Sequence, residues 1–230
     1  MQTYLRFWPI IGTSWFSLIG QWVKSWSCCL FAKSEDQPQV KQLAVTRSAS
    51  ILFTDVAGFS VQMTVHPQLE VVAQLDDYFQ ILTRCVQRYH GRVDKFIGDG
   101  MLAVFDRPDE AVNAAQAIQQ AVARFNTAQQ ARQRCAFPTR IAVDTGLVVV
   151  ARLSACPHQN ETIFGRVVNC AAHLLKHASP GRVLISQHTW CQLTDRLNVG
   201  QERLIVVKEE LKPVVVYEWG SGGGDARHPV

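Results

Sequence analysis

The spacing of apolar residues changes along the chain and predicts strands and helices in a definite order. Residues 50–55 (SILFTD) form a nearly continuous apolar run that is typical of a buried strand. Residues 67–89 place apolar side chains every three or four positions, which indicates a helix with one buried face. Two short apolar runs, residues 92–97 and 101–105, flank Gly98-Asp99-Gly100, a sequence that favours a tight hairpin.

The pattern continues with a helix over residues 108–134 and a strand over residues 140–150 that is broken at Gly146. The resulting order, βαββαβ, is that of a ferredoxin-like core, in which both helices pack on one face of an antiparallel sheet. We therefore predict an α+β fold with this core and an added C-terminal helix and strand hairpin. The added elements are a helix near 167–176, a strand at 183–186, a short helix from Gln187, and strands at 203–207 and 214–219.

The first 33 residues form a separate hydrophobic segment. Residues 7–23 carry no charge, and Trp8, Trp15 and Trp22 recur every seven residues, so a helix here would present one aromatic stripe. The stretch lies at the short end of a membrane span, and Pro9 weakens its helix. We expect membrane contact through residues 7–26. Packing of the stripe on the domain or on another copy, and a cleaved export signal, are the alternatives.

The domain boundaries follow from the changes in composition. Residues 34–46 are polar and predict a linker, residues 47–219 the globular domain, and the glycine-rich residues 220–230 a flexible tail. Basic residues follow the hydrophobic stretch, whereas Arg6 alone precedes it, so an anchor would leave the domain in the cytoplasm, at the inner face of the cytoplasmic membrane. Cys28 and Cys29 are either acylation sites or buried thiols.

Composition narrows the function classes. The 23 Lys and Arg residues against 19 Asp and Glu give a net charge of +4, which is too mild and scattered for a nucleic-acid binder. The apolar fraction of 47% is enough for one good-sized core and excludes a disordered chain. The seven cysteines are odd in number and include no CxxC pair, which indicates reduced thiols.

Two aspartates stand where apolar strands end. Asp55 closes the run SILFTD, and Asp99 lies at the tip of the hairpin. Neighbouring strand ends would bring the carboxylates together, where they repel unless they are protonated or bridged by cations such as Mg²⁺ shared with a phosphate. Asp-Gly is also simply a good hairpin turn, so the structural interpretation of Asp99 stays open. The loop after Asp55 could face a phosphate with its backbone N–H groups.

Together, four segments resemble the class III nucleotidyl cyclase catalytic domain, the adenylate and guanylate cyclase family. They are ILFTDVAGFS at 51–60, VDKFIGDGMLAVF at 93–105, RIAVDTGLVVV at 140–150 and IFGRVVNCAAHLLKHASPGRVLIS at 163–186. The resemblance implies a homodimer, or a pairing with a second cyclase chain, with sites at the interface. There two metal ions would assist attack of the ribose 3′-oxygen on the α-phosphate of a nucleoside triphosphate, releasing pyrophosphate and a 3′,5′-cyclic nucleotide.

The resemblance also implies roles for residues at matching positions. Asp55 and Asp99 would hold two Mg²⁺ or Mn²⁺ ions with the backbone carbonyl of Val56. The phosphates would be cradled by Ala57, Gly58, Phe59 and Ser60.

Lys95 matches the base-reading lysine of the family and Thr162 its partner. A lysine facing N1 of adenine, with a hydroxyl near the exocyclic amine, favours ATP. GTP or a pyrimidine triphosphate stays open, because base choice depends on pocket geometry. The structural alternatives are a solvated charge for Lys95 and an ordinary residue at a loop or strand start for Thr162.

Three positions depart from the family pattern. Asn169 matches the asparagine that orients the ribose, but four residues later His173 stands where the family has an arginine that stabilises the transition state. Glu210 stands where the family commonly has a phosphate-binding lysine, and Ala151 replaces a glycine. A histidine is charged only part of the time near neutral pH and lacks the guanidinium fork.

Two function classes follow. The first is a cyclase, most simply an adenylate cyclase, whose activity is reduced by His173 and Glu210. The alternative is a degenerate cyclase domain that binds nucleotide or another cyclase chain without turnover. The two carboxylates, Lys95 and Asn169 favour catalysis, since binding alone requires fewer of them, whereas the two lost cations favour the silent module.

Overall fold

The computed structural model describes residues 44–152, 161–195, 201–205 and 214–220. Within them the chain forms eight strands and five helices. The strands are β1 (Ala44–Val56), β2 (Arg92–Ile97), β3 (Gly100–Phe105), β4 (Thr139–Ala151), β5 (Thr162–Phe164), β6 (Arg182–Ser186), β7 (Gln201–Ile205) and β8 (Val214–Gly220). The helices are α1 (Phe59–Val65), α2 (Gln68–Arg88), α3 (Pro108–Gln130), α4 (Arg166–His177) and α5 (Gln187–Gln192).

The sheet confirms the predicted α+β fold. Its strand order is β2-β3-β1-β4-β6-β8-β7, with β5 paired to β4. The first four strands of this order form the antiparallel ferredoxin-like core, and β1 lies at its centre, paired with β3 on one side and β4 on the other. Strand β6 runs parallel to β4, and β8 and β7 complete the added C-terminal hairpin.

Helices α2 and α3 share one face of the sheet, as predicted. Their apolar stripes meet strand residues such as Leu52 and Ile141 in one buried cluster. Helix α4 covers the opposite face, where it packs with β5 over β1, β3 and β4. The alternation of side chains along β1 explains this division, because Leu52 belongs to the first cluster and Ile51 to the second.

Several boundaries differ from the sequence predictions for identifiable reasons. Strand β1 begins at Ala44, inside the predicted linker, because it pairs with β4 as far as Ala151. Strand β4 is continuous through Gly146, which lies opposite Ala49. Helix α1 was missed because its seven residues are too few for a clear period, and α3 ends at Gln130 rather than at residue 134.

The predicted membrane-contact segment, residues 7–26, lies outside the described residues. So does the predicted tail, residues 220–230, apart from Gly220, which ends β8. Among the helices of the described part, none combines the length and the apolar character that crossing a membrane requires.

The start of β3 lies close against β1. A Cβ atom at Gly100 would lie 2.5 Å from the backbone carbonyl oxygen of Thr54. This close approach explains why glycine occupies the position, since backbone atoms cannot move aside as a flexible side chain can.

We expect Gly100→Ala to lower the free energy of unfolding by about 2 kcal/mol, because the added methyl group forces β3 away from β1. Chemical denaturation measures the loss. Gly146→Ala is the matched control, since its Cβ would meet Val167 at an ordinary 3.5 Å. Equal stability of the Gly100 variant and the unmodified chain would contradict the close packing described here.

Candidate active site

The structure brings Asp55 and Asp99 together at one end of the central strands. Asp55 lies near the end of β1, and Asp99 lies in the turn between β2 and β3. The backbone N–H of Val56 donates a hydrogen bond of 3.1 Å to Oδ2 of Asp99. The two carboxyl groups lie close enough for the charge of Asp55 to act on Asp99. The carboxylate pair predicted from the strand ends is therefore present.

Burial and repulsion change the acidity of this pair. Partial burial, and then the neighbouring Asp55 charge, raise the pKa of Asp99 to about 6. The hydrogen bond from Val56 acts in the opposite direction. A partly protonated carboxyl group beside a carboxylate forms a site that gains from binding a cation.

Arg140 supplies a positive charge to the pair. It lies opposite Asp55 in the β1–β4 pairing, and its guanidinium forms an ion pair with Oδ2 of Asp55. The Asp55 side chain is only 15% exposed, so this ion pair is partly shielded from water. The guanidinium balances one of the two carboxylates in the chain alone.

Tyr78 of α2 lies fully buried near the pair. Its hydroxyl is 2.8 Å from Oγ1 of Thr139, and its ring packs edge-on against Phe137 with centroids 5.4 Å apart. Burial first, and the nearby Asp99 and Asp55 charges further, raise the pKa of Tyr78, so its hydroxyl stays protonated. Tyr78 therefore provides a neutral hydroxyl close to the carboxyl groups.

The predicted phosphate loop, Ala57 to Ser60, turns sharply into α1. Gly58 has φ of 74°, a left-handed conformation that glycine adopts without strain. The N–H of Ala57 donates to the carbonyl of Pro138 at 2.8 Å, so the remaining donors of the loop are those of Gly58, Phe59 and Ser60. The Phe59 ring packs on Phe137 with centroids 6.3 Å apart and anchors the loop to the core.

The two residues predicted to read the base, Lys95 and Thr162, lie beside the apolar cluster that contains Leu102 and Ile163. Lys95 of β2 is opposite Leu102, and Leu102 packs in one cluster with Ile163, the neighbour of Thr162. This packing folds β5 across the sheet towards β2. Within the described residues, no hydrogen bond or ion pair joins Lys95 to Asp55 or Asp99.

Asn169 and His173 lie on α4, one turn apart, with Asn169 exposed and His173 half-buried. A buried polar cluster holds this helix on the sheet. Asp144 of β4 accepts hydrogen bonds from Oγ of Ser186 at 2.6 Å and from the backbone N–H of Thr145 at 2.9 Å. The side chain of Cys170, next to Asn169, also bonds to Asp144, and burial raises the pKa of this carboxyl group.

Sequence reasoning missed Tyr78, Arg140 and Asp144. Arg140 stands in one of the segments that carried the resemblance, but only the pairing of β1 with β4 places it against Asp55. Tyr78 reads as part of the buried stripe of α2, and no sequence signal distinguishes its hydroxyl. Asp144 is a carboxylate inside an apolar strand, which was a usable signal.

The donor set fits a divalent cation. The two carboxylates supply hard oxygen ligands, which Mg²⁺ and Mn²⁺ prefer. No group of three or more His, Cys, Asp or Glu side chains suited to a metal occurs in the described part of the chain. The remaining ligands would then come from a backbone carbonyl, water and the substrate.

Comparison with known proteins identifies the family. Residues 42–217 match the model of the adenylate and guanylate cyclase catalytic domain. The chain belongs to this cyclase family. The cyclase domain is 33% identical over 166 residues to an uncharacterised protein of Mycobacterium tuberculosis, covering 69% of this chain and 29% of that protein. Adenylate cyclase 1 of Rhizobium meliloti is 30% identical over 135 residues, 56% of this chain and 20% of that protein.

The chain thus spans less than a third of the length of these relatives. Solved structures agree on the fold. The guanylyl cyclase Cya2 matches with a TM-score of 0.71 and 26% identity over 80% of this chain and 97% of that one. The adenylyl cyclase CyaB from P. aeruginosa matches with a TM-score of 0.69 and 25% identity, over 80% and 98%. Because the chain is similar to a guanylyl cyclase and to an adenylyl cyclase, the fold does not determine which base is bound, and the choice of base depends on the residues of the site.

The carboxyl pair of the cyclase domain should make it less stable as the pH rises. Because the pKa of Asp99 is about 6 in the folded chain against 3.8 ordinarily, stability is lost between about pH 4 and pH 6. At pH 8 without metal, we expect the free energy of unfolding of Asp99→Asn to be about 1 kcal/mol higher than that of the unmodified chain. At pH 4 the two free energies should be equal.

Thermal denaturation in a metal chelator at both pH values measures this difference. Asp106→Asn is the control, since Asp106 is an exposed carboxylate that pairs with Arg47 away from the site. A variant at Asp99 that is less stable than the unmodified chain at pH 8 would show that the two carboxyl groups do not repel.

Proposed function

We propose that this cyclase domain converts ATP to 3′,5′-cyclic AMP and pyrophosphate at sites shared by two copies of the chain. The observation that carries the proposal is the close approach of two half-buried carboxyl groups, those of Asp55 and Asp99. Such a contact costs stability, which the Arg140 ion pair offsets for Asp55 and which a bound cation would offset for both carboxylates. A binding module without turnover requires fewer of these groups.

Asp55 and Asp99, together with the carbonyl of Val56, would hold Mg²⁺ or Mn²⁺ ions. When bound, the ions would lower the pKa of the ribose 3′-hydroxyl and stabilise the charge growing on the phosphate oxygens. In the reaction the 3′-oxygen gives its proton to water and bonds to the α-phosphorus. The bond from that phosphorus to the bridging oxygen breaks, and pyrophosphate leaves with the electron pair.

The protein's own groups position the triphosphate and the base. The N–H groups of Gly58, Phe59 and Ser60 point from a loop that is already folded, and they would donate to phosphate oxygens. Lys95 would donate to N1 of adenine, and the hydroxyl of Thr162 would accept from the exocyclic amine. Guanine presents an N–H and a carbonyl oxygen at these positions, so the pair favours ATP.

The helix α4 would carry the groups that act on the ribose and the transition state. Asn169 would orient the ribose, and His173 would lie near the α-phosphate. A neutral histidine stabilises the developing negative charge less than an arginine does. We therefore infer a slow cyclase.

Two copies of the chain would complete each site, with Asp55 and Asp99 from one copy and Lys95 and Asn169 from the other. Apolar side chains that are exposed in the described part of the chain support such an assembly. They include Val61, Val65, Leu69, Phe96, Ile97 and Leu147.

A nucleotide-binding module without turnover is the second candidate. Its support is His173, since without an arginine the phosphate charge gains less stabilisation. Glu210, which stands where the family commonly has a lysine, lies outside the described residues.

The deciding experiment is a turnover assay on the full chain, concentrated to favour dimers, with Mg²⁺ or Mn²⁺ and ATP, GTP, CTP or UTP in separate reactions. Mass spectrometry identifies the cyclic product. Cyclic AMP from ATP supports the proposal, and another cyclic product corrects the substrate. Nucleotide binding without any product supports the silent module.

We expect Asp55→Asn to lower the turnover number by about a hundredfold or more, because one charged oxygen ligand is lost. Circular dichroism should show an unchanged fold. Asp106→Asn is the matched control and should retain full turnover, since its side chain is 75% exposed and pairs only with Arg47. Equal turnover in both variants would remove the metal assignment.

We expect His173→Arg to raise the turnover number about tenfold, because a permanent charge and a forked donor replace a partly charged ring. Steady-state rates at pH 8 measure the gain, which should appear in kcat rather than in KM. A lower rate would show that the histidine has a role of its own.

A further inference from the structure

Strand β2 contains a bulge at Asp94. Val93 lies opposite Ala103 and Lys95 opposite Leu102, so two neighbouring residues of β3 face three residues of β2. Successive side chains of a regular strand point to opposite faces, but an extra residue re-aims the side chains beside it. The bulge brings Oδ2 of Asp94 to 3.3 Å from Nζ of Lys95.

The carboxylate of Asp94 lies in an unfavourable environment. Its side chain is only 1% exposed, and neither oxygen accepts a hydrogen bond from any residue that the structure describes. Its near neighbours are two cations, Lys95 and the Nη1 atom of Arg92 at 3.6 Å. A buried carboxylate with ion pairs but no hydrogen bonds does not stabilise a fold. Its stabilising value therefore does not explain why it is there.

The charges continue from β2 to β5. Nη2 of Arg92 lies 4.0 Å from Oε2 of Glu161, the residue before Thr162. A row of side chains with alternating charge thus runs from Lys95 to the residue before Thr162. Its members in order are Lys95, Asp94, Arg92 and Glu161. Asp94 occupies the position in this row that touches the Lys95 ammonium.

We propose that Asp94 is a positioning residue that sets the base preference of this cyclase by fixing the direction of the Lys95 ammonium group. The inference rests on the proposed function, in which Lys95 reads the base. Held by its ion pair with the carboxylate, the ammonium presents its N–H groups towards Thr162, where adenine would place its N1 acceptor. A released ammonium can swing to the carbonyl oxygen of guanine, which weakens discrimination.

The first test compares Asp94→Asn with the unmodified full chain. The amide keeps the shape but loses the charge. We expect KM for ATP to rise about tenfold with kcat changed less than about threefold, and the ATP-to-GTP ratio of kcat/KM to fall about tenfold. Asp94→Glu, which keeps the charge, should recover part of the ratio. Asp106→Asn should leave the ratio unchanged.

A double-mutant cycle with Lys95→Met shows whether Asp94 acts through the lysine. In the Lys95→Met background, we expect Asp94→Asn to change the ratio by less than about twofold. A tenfold change in that background would show that Asp94 contacts the base directly, and would overturn the positioning role. The melting temperature of Asp94→Asn should be equal or higher, because a neutral amide replaces a buried carboxylate that accepts no hydrogen bond in the described part of the chain. A lower melting temperature with an unchanged ratio would mean a structural role only, and would also overturn it.

The same variants separate this inference from the proposed function. If the unmodified chain binds nucleotides without turnover, the ATP-to-GTP ratio of dissociation constants from calorimetry replaces the kinetic ratio, and the Asp94 test proceeds. If the unmodified chain and Asp94→Asn prefer ATP over GTP to the same degree, the inference about Asp94 is overturned and the proposed function stands. A chain that neither binds nor cyclises any nucleotide overturns both.

Discussion

The contact between two carboxyl groups is the constraint on which the rest of this site depends. Asp55 and Asp99 meet because β1 pairs with β3 and with β4 at once, which leaves no freedom for the strand end or for the hairpin turn. The Val56 N–H and the Arg140 guanidinium each stabilise one of the carboxylates. The fold thus holds together two groups that would separate in water, and the divalent cation proposed for this site would relieve their repulsion.

The sequence was sufficient for the fold and for one half of the site. Apolar runs, the hairpin signal at Gly98-Asp99-Gly100 and helical patterns located every strand and both helices of the ferredoxin-like core. The runs beside Asp55 and Asp99 identified strand ends that were expected to meet. What the sequence could not supply was register. Arg140 opposite Asp55, and the bulge that turns Asp94 beside Lys95, depend on which residues face each other across strands, and local composition does not encode that pairing.

Departures from the family pattern are concentrated on groups that bear positive charge, while the acidic groups are retained. His173 stands on a helix that is firmly held through Cys170 and Asp144, so its position is well defined even though its charge is weak. A lost charge on a well-placed side chain affects the rate of a reaction more than the binding of its substrate. This separation explains why a nucleotide-binding module and a slow enzyme share one geometry.

The anchoring of Phe59 has a consequence for the thermodynamics of recognition. Because its ring rests on Phe137 and the Ala57 N–H is held by Pro138, the loop between β1 and α1 loses its conformational entropy when the chain folds. A triphosphate bound there, as proposed, would meet donors that are already arranged, and the free energy of association would not be consumed in ordering them. Core packing behind the loop would thereby act on affinity without touching the ligand.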